Sequence, residues 1–394
     1  MQPENSADRS TENAFQSGPF AGLNIVDVSG TVATSYACKL FADYGATVTN
    51  VEPPRGFPTR SLKPFLPTQL SATHQQQRPI SAMHGYLHCN KASVVGDHNN
   101  LAAEPAVGAA DLVVFDPKTL PHTDSLADIK VNTCAISWFG LTGPYAQYQG
   151  SDGAIYALSG FMKGIGEEAG PPIIPSGVQA QIVGGLSAFN GALGHLLGQL
   201  MGNLEQPFAL DNSILEANMC LTDLLAINAF NKNPLPPRMG INRFPPTYPL
   251  GIWPCKDGWL GVTALTPSQW KAFCELLSLD DFTDVSFFNA SVNRLASADV
   301  IEPAIIQALA TYSAEELFHK GQALRIPLAR VPTMEELFAV DQYVSWQAFS
   351  SISMHDTTFL APSIPFRLFA TPPHFGGRVA ALGEDNPAMT EAKV

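Results

Sequence analysis

Gln181 closes the run Ile174-Pro175-Ser176-Gly177-Val178-Gln179-Ala180-Gln181, followed by Ile182-Val183-Gly184-Gly185, which reads as a short apolar strand turning through glycine into a helix. Such a turn exposes one side chain beside the N–H groups of a helix N-terminus, where an acyl oxyanion could be stabilised. The chemistry that suits the place is attack by a carboxylate on an acyl group. An aspartate there would be a nucleophile; the carboxamide of Gln181 is not. The nearest carboxylates in sequence are Asp152, Glu167 and Glu168.

Other patterns carry less. Gly164-Ile165-Gly166-Glu167-Glu168-Ala169 matches a dinucleotide-binding G-x-G-x-x-A, but its glutamates would repel a pyrophosphate and Pro171-Pro172 blocks the helix that must follow, so it reads as a turn. No G-x-x-x-x-G-K-[ST], G-x-S-x-G or H-E-x-x-H is present. His84 and His88 share one helix face, with no carboxylate close by in sequence, so no metal is expected. His195 is expected as a satisfied core histidine. The six cysteines, with no C-x-x-C pair among them, read as buried reduced thiols.

The elements that must position these residues divide the chain in two. Leu23–Val28, a helix from Ser35 to Tyr44, and Thr47–Val51 form a βαβ unit, which implies a parallel sheet with its ligand near the carboxyl ends of the strands. Asp111–Phe115 and Thr133–Trp138 read as further strands, and helices are expected from Gly184 to Met201 and from Asp211 to Asn228. A second composition follows, with a hairpin over Ile252–Val262 turning at Lys256-Asp257-Gly258, then helices over Ser268–Leu277, Asp299–Tyr312 and Ala314–Leu324. The expected organisation is a loose N-terminal tail (1–19), a large Rossmann-like domain (20–205), a helical and Pro-rich linker (206–248), a small α+β domain (249–328), and a return linker completing the large domain (329–394).

Bulk properties narrow the partners. With 45% apolar and 14% charged residues among 394, the chain has the composition of a globular protein. A formal net charge of −13 argues against nucleic acid and against an anionic membrane surface. The uncharged stretch from Ala169 to Leu204 is broken by prolines, glycines, Gln179, Gln181, Asn190 and His195, so it reads as buried core rather than a membrane span. The polar N-terminus has no apolar signal core, and a cytoplasmic protein is expected.

Several segments together resemble the class III CoA-transferase (CaiB/BaiF) family. They are Gly22-Leu23-Asn24-Ile25-Val26-Asp27-Val28-Ser29, Phe41-Ala42-Asp43-Tyr44-Gly45-Ala46, Val51-Glu52-Pro53-Pro54 with Pro58-Thr59-Arg60, and Phe139-Gly140-Leu141-Thr142-Gly143-Pro144-Tyr145. Ala157-Leu158-Ser159-Gly160, Cys255-Lys256-Asp257-Gly258-Trp259, Asp341-Gln342-Tyr343-Val344 and Pro365-Phe366-Arg367-Leu368 follow in the family's order, so the resemblance spans about residues 20 to 385. It implies an α/β fold, a Rossmann-like large domain plus a small α+β domain, in a dimer of interlocked rings. It also implies CoA transfer between an acyl-CoA and a carboxylic acid through an aspartyl anhydride and an aspartyl thioester.

Matched residue by residue, the family's nucleophilic aspartate lies ten residues before Gly191, at Gln181. CoA contacts fall on Val32, Ala33, Arg60, Lys91 and Gly140, but Ala33-Thr34-Ser35 replaces the family's Ala-Gly-Pro and Ala92 stands where arginine is usual, so CoA is expected as a weak ligand. The racemase branch of the family fits less well, since its acid–base positions fall on Ser151, Gln181 and Thr266. The leading expectation is therefore a non-catalytic subunit, as a homodimer or paired with an Asp-bearing relative. The alternatives are an active transferase or lyase using another carboxylate, with Asp152 the first candidate, and a homomeric pseudoenzyme that binds an acyl-CoA or acid.

Overall fold

The computed structural model describes residues 18–67, 79–120, 129–204, 207–222, 227, 229–231, 238–283, 288–374 and 376–386. Most of the expected tail, and parts of the expected linker, lie outside the described residues. The chain forms two compact units, one drawn from 1–161, 174–223 and 341–394, the other from 162–173 and 224–340.

The first unit is built on a six-stranded parallel sheet in the order β3-β2-β1-β4-β5-β6. Its strands are β1 (Asn24–Asp27), β2 (Thr47–Glu52), β3 (Ala92–Val95), β4 (Leu112–Phe115), β5 (Asn132–Ser137) and β6 (Ala209–Ser213). The chain runs outward from β1 to β3 and then returns to place β4 on the other side of β1. That reversal opens a crevice at the carboxyl ends of β1 and β4, the place where such sheets bind ligands. Val26, Val28, Val51, Val113 and Phe115 form one buried core of the sheet.

Five helices of this unit matter for the site: α1 (Val32–Asp43), α2 (Ala82–His88), α3 (Asp152–Leu158), α4 (Gln179–Leu200) and α5 (Ile214–Met219). Helix α1 packs on α4 through Phe41 and Phe189, whose rings meet edge to face at 4.7 Å. The approach is closer still at Gly185, where a Cβ would lie 2.6 Å from the carbonyl oxygen of Ala33. A glycine there is a packing requirement.

Two expectations are corrected here. The residues before α4 take no strand conformation, and the helix starts directly from the irregular turn at 175–178. Asp211 begins no helix; it lies in β6, and α5 starts only at Ile214.

The second unit carries a three-stranded sheet of β7 (Leu250–Cys255), β8 (Gly258–Thr263) and β9 (Leu328–Arg330), with helices α6 (Pro267–Leu277), α7 (Ala298–Leu309) and α8 (Ala314–Ala323) on one face. The β7–β8 hairpin turns where Lys256-Asp257-Gly258 led one to expect it. Arg294, fully buried, donates to the carbonyls of Tyr248 (2.8 Å), Phe288 (2.6 Å), Asn289 (3.1 Å) and Leu265 (2.8 Å), with its guanidinium over the Trp270 ring. A small sheet of β10 (Phe349–Met354), β11 (Thr357–Pro362) and β12 (Gly377–Val379) returns to the first unit and packs on α2.

Candidate functional site

Helix α4 begins without a side-chain cap, because Val178 at its N-cap position has no oxygen to offer. Asp152 supplies what is missing. Its Oδ1 accepts the backbone N–H of Gln181 at 3.3 Å, and its Oδ2 accepts the Gln181 side-chain Nε2–H at 2.8 Å. Asp152 itself opens α3, whose N-cap Ser151 accepts the N–H of Ala154 at 3.3 Å. The start of α4 therefore does hold a carboxylate, but one delivered from the neighbouring helix, where the helix dipole favours its charge. Gln181 and Asp152, the two candidates from sequence, are in direct contact. Glu167 and Glu168 belong to the second unit, where Arg238 holds the segment through the carbonyls of Glu167 and Gly170.

The residues expected to meet CoA are mostly occupied by the protein itself. Val32 and Ala33 are buried in the first turn of α1. Ahead of that turn the carboxylate of Asp27 accepts the N–H groups of Ser29 and Gly30, both at 3.0 Å, and the hydroxyl of Ser35 at 3.1 Å. Lys91 is buried beneath it and donates to the Ser35 carbonyl at 2.7 Å. Burial pushes the Asp27 carboxyl up and the Lys91 ammonium down from their usual ranges, and each charge partly offsets the other's shift. Arg60 forks onto Glu52, with Nε to Oε2 at 2.7 Å and Nη2 to Oε1 at 2.6 Å. Gly140 donates to Ser137 Oγ at 2.9 Å, and the next amide, of Leu141, is held by the Asp211 carboxylate at 3.0 Å.

A cleft of about 910 Å³ lies at the carboxyl end of the sheet, lined by residues at the ends of three strands, β2, β3 and β4, and by none from the end of β1. Pro53, Pro54 and Arg55 follow β2, Val95 ends β3 and Gly96–Asn99 follow it, and Lys118–Leu120 follow β4. Arg55 and Lys118 are its cations and Asp97 its carboxylate. Lys118 reaches Gln147 Oε1 at 2.8 Å, and His98 bonds the Val51 carbonyl at 2.9 Å. The sequence reading did not place Asp97, His98 or Lys118 in a site. The available signal was their position, each just after a strand on one side or the other of the chain reversal.

The positions of the racemase branch serve structure instead. Ser151 caps α3, and Thr266 caps α6 in a reciprocal pair with Gln269. His195 is half-buried rather than in the core as expected; its Nδ1 lies 2.9 Å from the Gly191 carbonyl oxygen and its ring packs against Phe208. Among the described residues no cluster of His, Cys, Asp and Glu is arranged to hold a metal, and no helix is long and apolar enough to cross a membrane.

Residues 20–114 and 127–386 match CoA-transferase family III. The chain belongs to that family. It is similar to the succinate–glutarate CoA-transferase of Agrobacterium fabrum, 26% identical over 391 residues that cover 93% of each chain. It is also similar to the succinyl-CoA–L-malate CoA-transferase alpha subunit of Chloroflexus aurantiacus, 23% identical over 93% of this chain and 85% of that one. In three dimensions it resembles a CaiB/BaiF family protein from Brucella suis, with a TM-score of 0.79 at 21% identity over 94% of this chain and 97% of the other. The parallel sheet with its chain reversal at β1 and β4 is thus that of a CoA-transferase III family member.

Proposed function

We propose that this chain takes part in CoA transfer between an acyl-CoA and a carboxylic acid as the subunit that lacks the covalent nucleophile. The observation that carries this reading is the contact at the start of α4, where Gln181 donates its amide N–H to Asp152. A carboxamide forms no anhydride with an acyl group, and loss of a covalent nucleophile costs on the order of 10⁴-fold in rate. The engagement of Arg60 by Glu52 and the burial of Lys91 support weak CoA binding, with Arg55 and Lys118 as the remaining phosphate partners. The exposed apolar end of α4, at Leu197, Leu200 and Met201, supports burial against a second chain, either another copy or an Asp-bearing relative. The alpha-subunit name of the Chloroflexus relative is consistent with a pairing of related chains. Cysteines that are free and mostly buried fit a cytoplasmic protein.

A second reading is favoured by the same contact seen from the other side. Asp152 brings a carboxylate to the first turn of α4, and it could attack the acyl carbonyl in place of the missing aspartate. One experiment separates the two. The isolated protein is incubated with acyl-CoAs and treated with hydroxylamine, and its peptides are analysed by mass spectrometry. No hydroxamate and no CoA exchange are expected. A hydroxamate on Asp152, with exchange abolished by Asp152→Asn, would replace the first reading by the second. In a mixed dimer with an Asp-bearing relative, mutating the relative's aspartate should abolish exchange, and Gln181→Ala should leave most of it.

A further inference from the structure

Four buried polar side chains from three elements form a hydrogen-bond chain that ends at His84. His84 and His88 stack on α2 with ring centroids 4.2 Å apart. Thr59 Oγ1 lies between them, 3.0 Å from His84 Nδ1 and 3.0 Å from His88 Nε2. His88 Nδ1 lies 3.2 Å from Asn50 Oδ1 on β2. All four residues are at most 2% exposed. His84 Nε2 is buried and has no hydrogen-bond partner among the described residues.

With the Asn50 carboxamide oxygen facing His88, the proton positions follow. The Asn50 oxygen can only accept, so His88 carries its proton on Nδ1 and offers a lone pair at Nε2. That lone pair takes the single Thr59 hydroxyl proton. Thr59 oxygen then accepts the Nδ1–H of His84, which leaves His84 Nε2 as a bare buried lone pair. The hydroxyl proton and the one N–H proton of each ring are all used while both rings are neutral. One further proton creates a buried cation, and the new N–H at His84 Nε2 meets no acceptor.

We propose that this network is an acid-sensitive latch that ties the 58–61 turn to α2 and β2 when neutral and releases it when protonated. The segment it holds covers the entrance to α1. The Phe57 ring rests on Gly30, where a Cβ would lie only 2.0 Å from Phe57 Cγ, and Arg60 reaches back to Glu52. The charged and titratable groups facing the pair favour release on acidification. Arg60 from the 58–61 turn, Lys91 after α2 and His355 from the β10–β11 turn all oppose a positive imidazole, while the Glu52 carboxylate is engaged by Arg60. Burial and these neighbours hold both imidazoles well below their ordinary range. The sign follows: the open segment gains protons that the closed one refuses, so the latch is stable above the ordinary histidine range and weakens as pH falls below it.

Hydrogen–deuterium exchange of the full chain at pH 7.5 and 5.5, corrected for intrinsic exchange, tests it. Peptides covering 53–62 and 82–91 should lose protection at pH 5.5 by about 10-fold for each imidazole that titrates, taking an open-state value near 6.5. Peptides covering β4 and β5 should keep theirs. His84→Phe, which retains the stacked ring but not the titrating nitrogen, should remove about 10-fold of the loss. Unchanged protection of 53–62, or an equal loss across the whole sheet, overturns the proposal. If His84→Phe does not fold, the wild-type comparison alone decides.

Discussion

At the scale of the residue, the site turns on one carboxylate and one carboxamide. Asp152 accepts two hydrogen bonds from Gln181, and bonds to a charged acceptor contribute about 1.5–3 kcal/mol each when buried. The pair is half-buried, so Asp152→Ala should cost about 1–2 kcal/mol in urea denaturation, through an uncapped α4. Gln181→Asp asks the opposite question. Two carboxylates in this contact cannot both ionise without repulsion, so one is held above the usual carboxylate range in the folded state. A raised folded value binds protons more tightly than the unfolded chain does. The variant should therefore be destabilised relative to wild type at pH 7 and recover as pH falls toward 5, as denaturation at the two pH values would show. Sequence singled out Gln181 through its resemblance to a family pattern, and the structure adds its contact with Asp152. Sequence could not make Arg60 legible as a structural residue: Glu52 lies eight residues away across a turn, and the bidentate pairing exists only after that turn has folded.

Elements explain why some positions were readable and others were not. The opening strand, helix and strand carried strong apolar runs punctuated by Gly30 and Gly45, and they appear as β1, α1 and β2. Strand β6 was hidden because its sequence, Ala-Leu-Asp-Asn-Ser, shows no apolar alternation. Its polar residues are accounted for by distant partners: Asp211 accepts the Leu141 amide, and the Asn212 side chain donates to the Gly184 carbonyl at 3.1 Å. Long-range satisfaction of this kind leaves no periodic trace. The α1–α4 contact gives a sharp prediction. Gly185→Ala would drive a methyl group against the Ala33 carbonyl and should destabilise by about 1–3 kcal/mol, the usual cost of overpacking, measured by chemical denaturation. Thr31→Ala removes the reciprocal cap of α1 with Thr34 and should cost about 1 kcal/mol.

For the whole molecule, the proposed pairing with a second chain is the main expectation. An obligate interface of more than about 2,000 Å² leaves no stable folded monomer, so light scattering should report a dimer, or the chain should become soluble only with an Asp-bearing relative. A soluble monomer would remove that pairing. The first unit also has an order of assembly written into it. Edge strand β3 is covered by residues near the end of the chain: Asp385 Oδ2 accepts the Ser93 N–H and Asn386 Oδ1 accepts the Val95 N–H, both at 2.8 Å, across sequence separations of 292 and 291 residues. At ribosomal speeds of roughly 5–20 residues per second, the earliest-made edge of the sheet waits roughly 15–60 s for its cover. During that interval a nascent chain presents an open strand to any other, so its yield in a cell should depend on chaperone capacity.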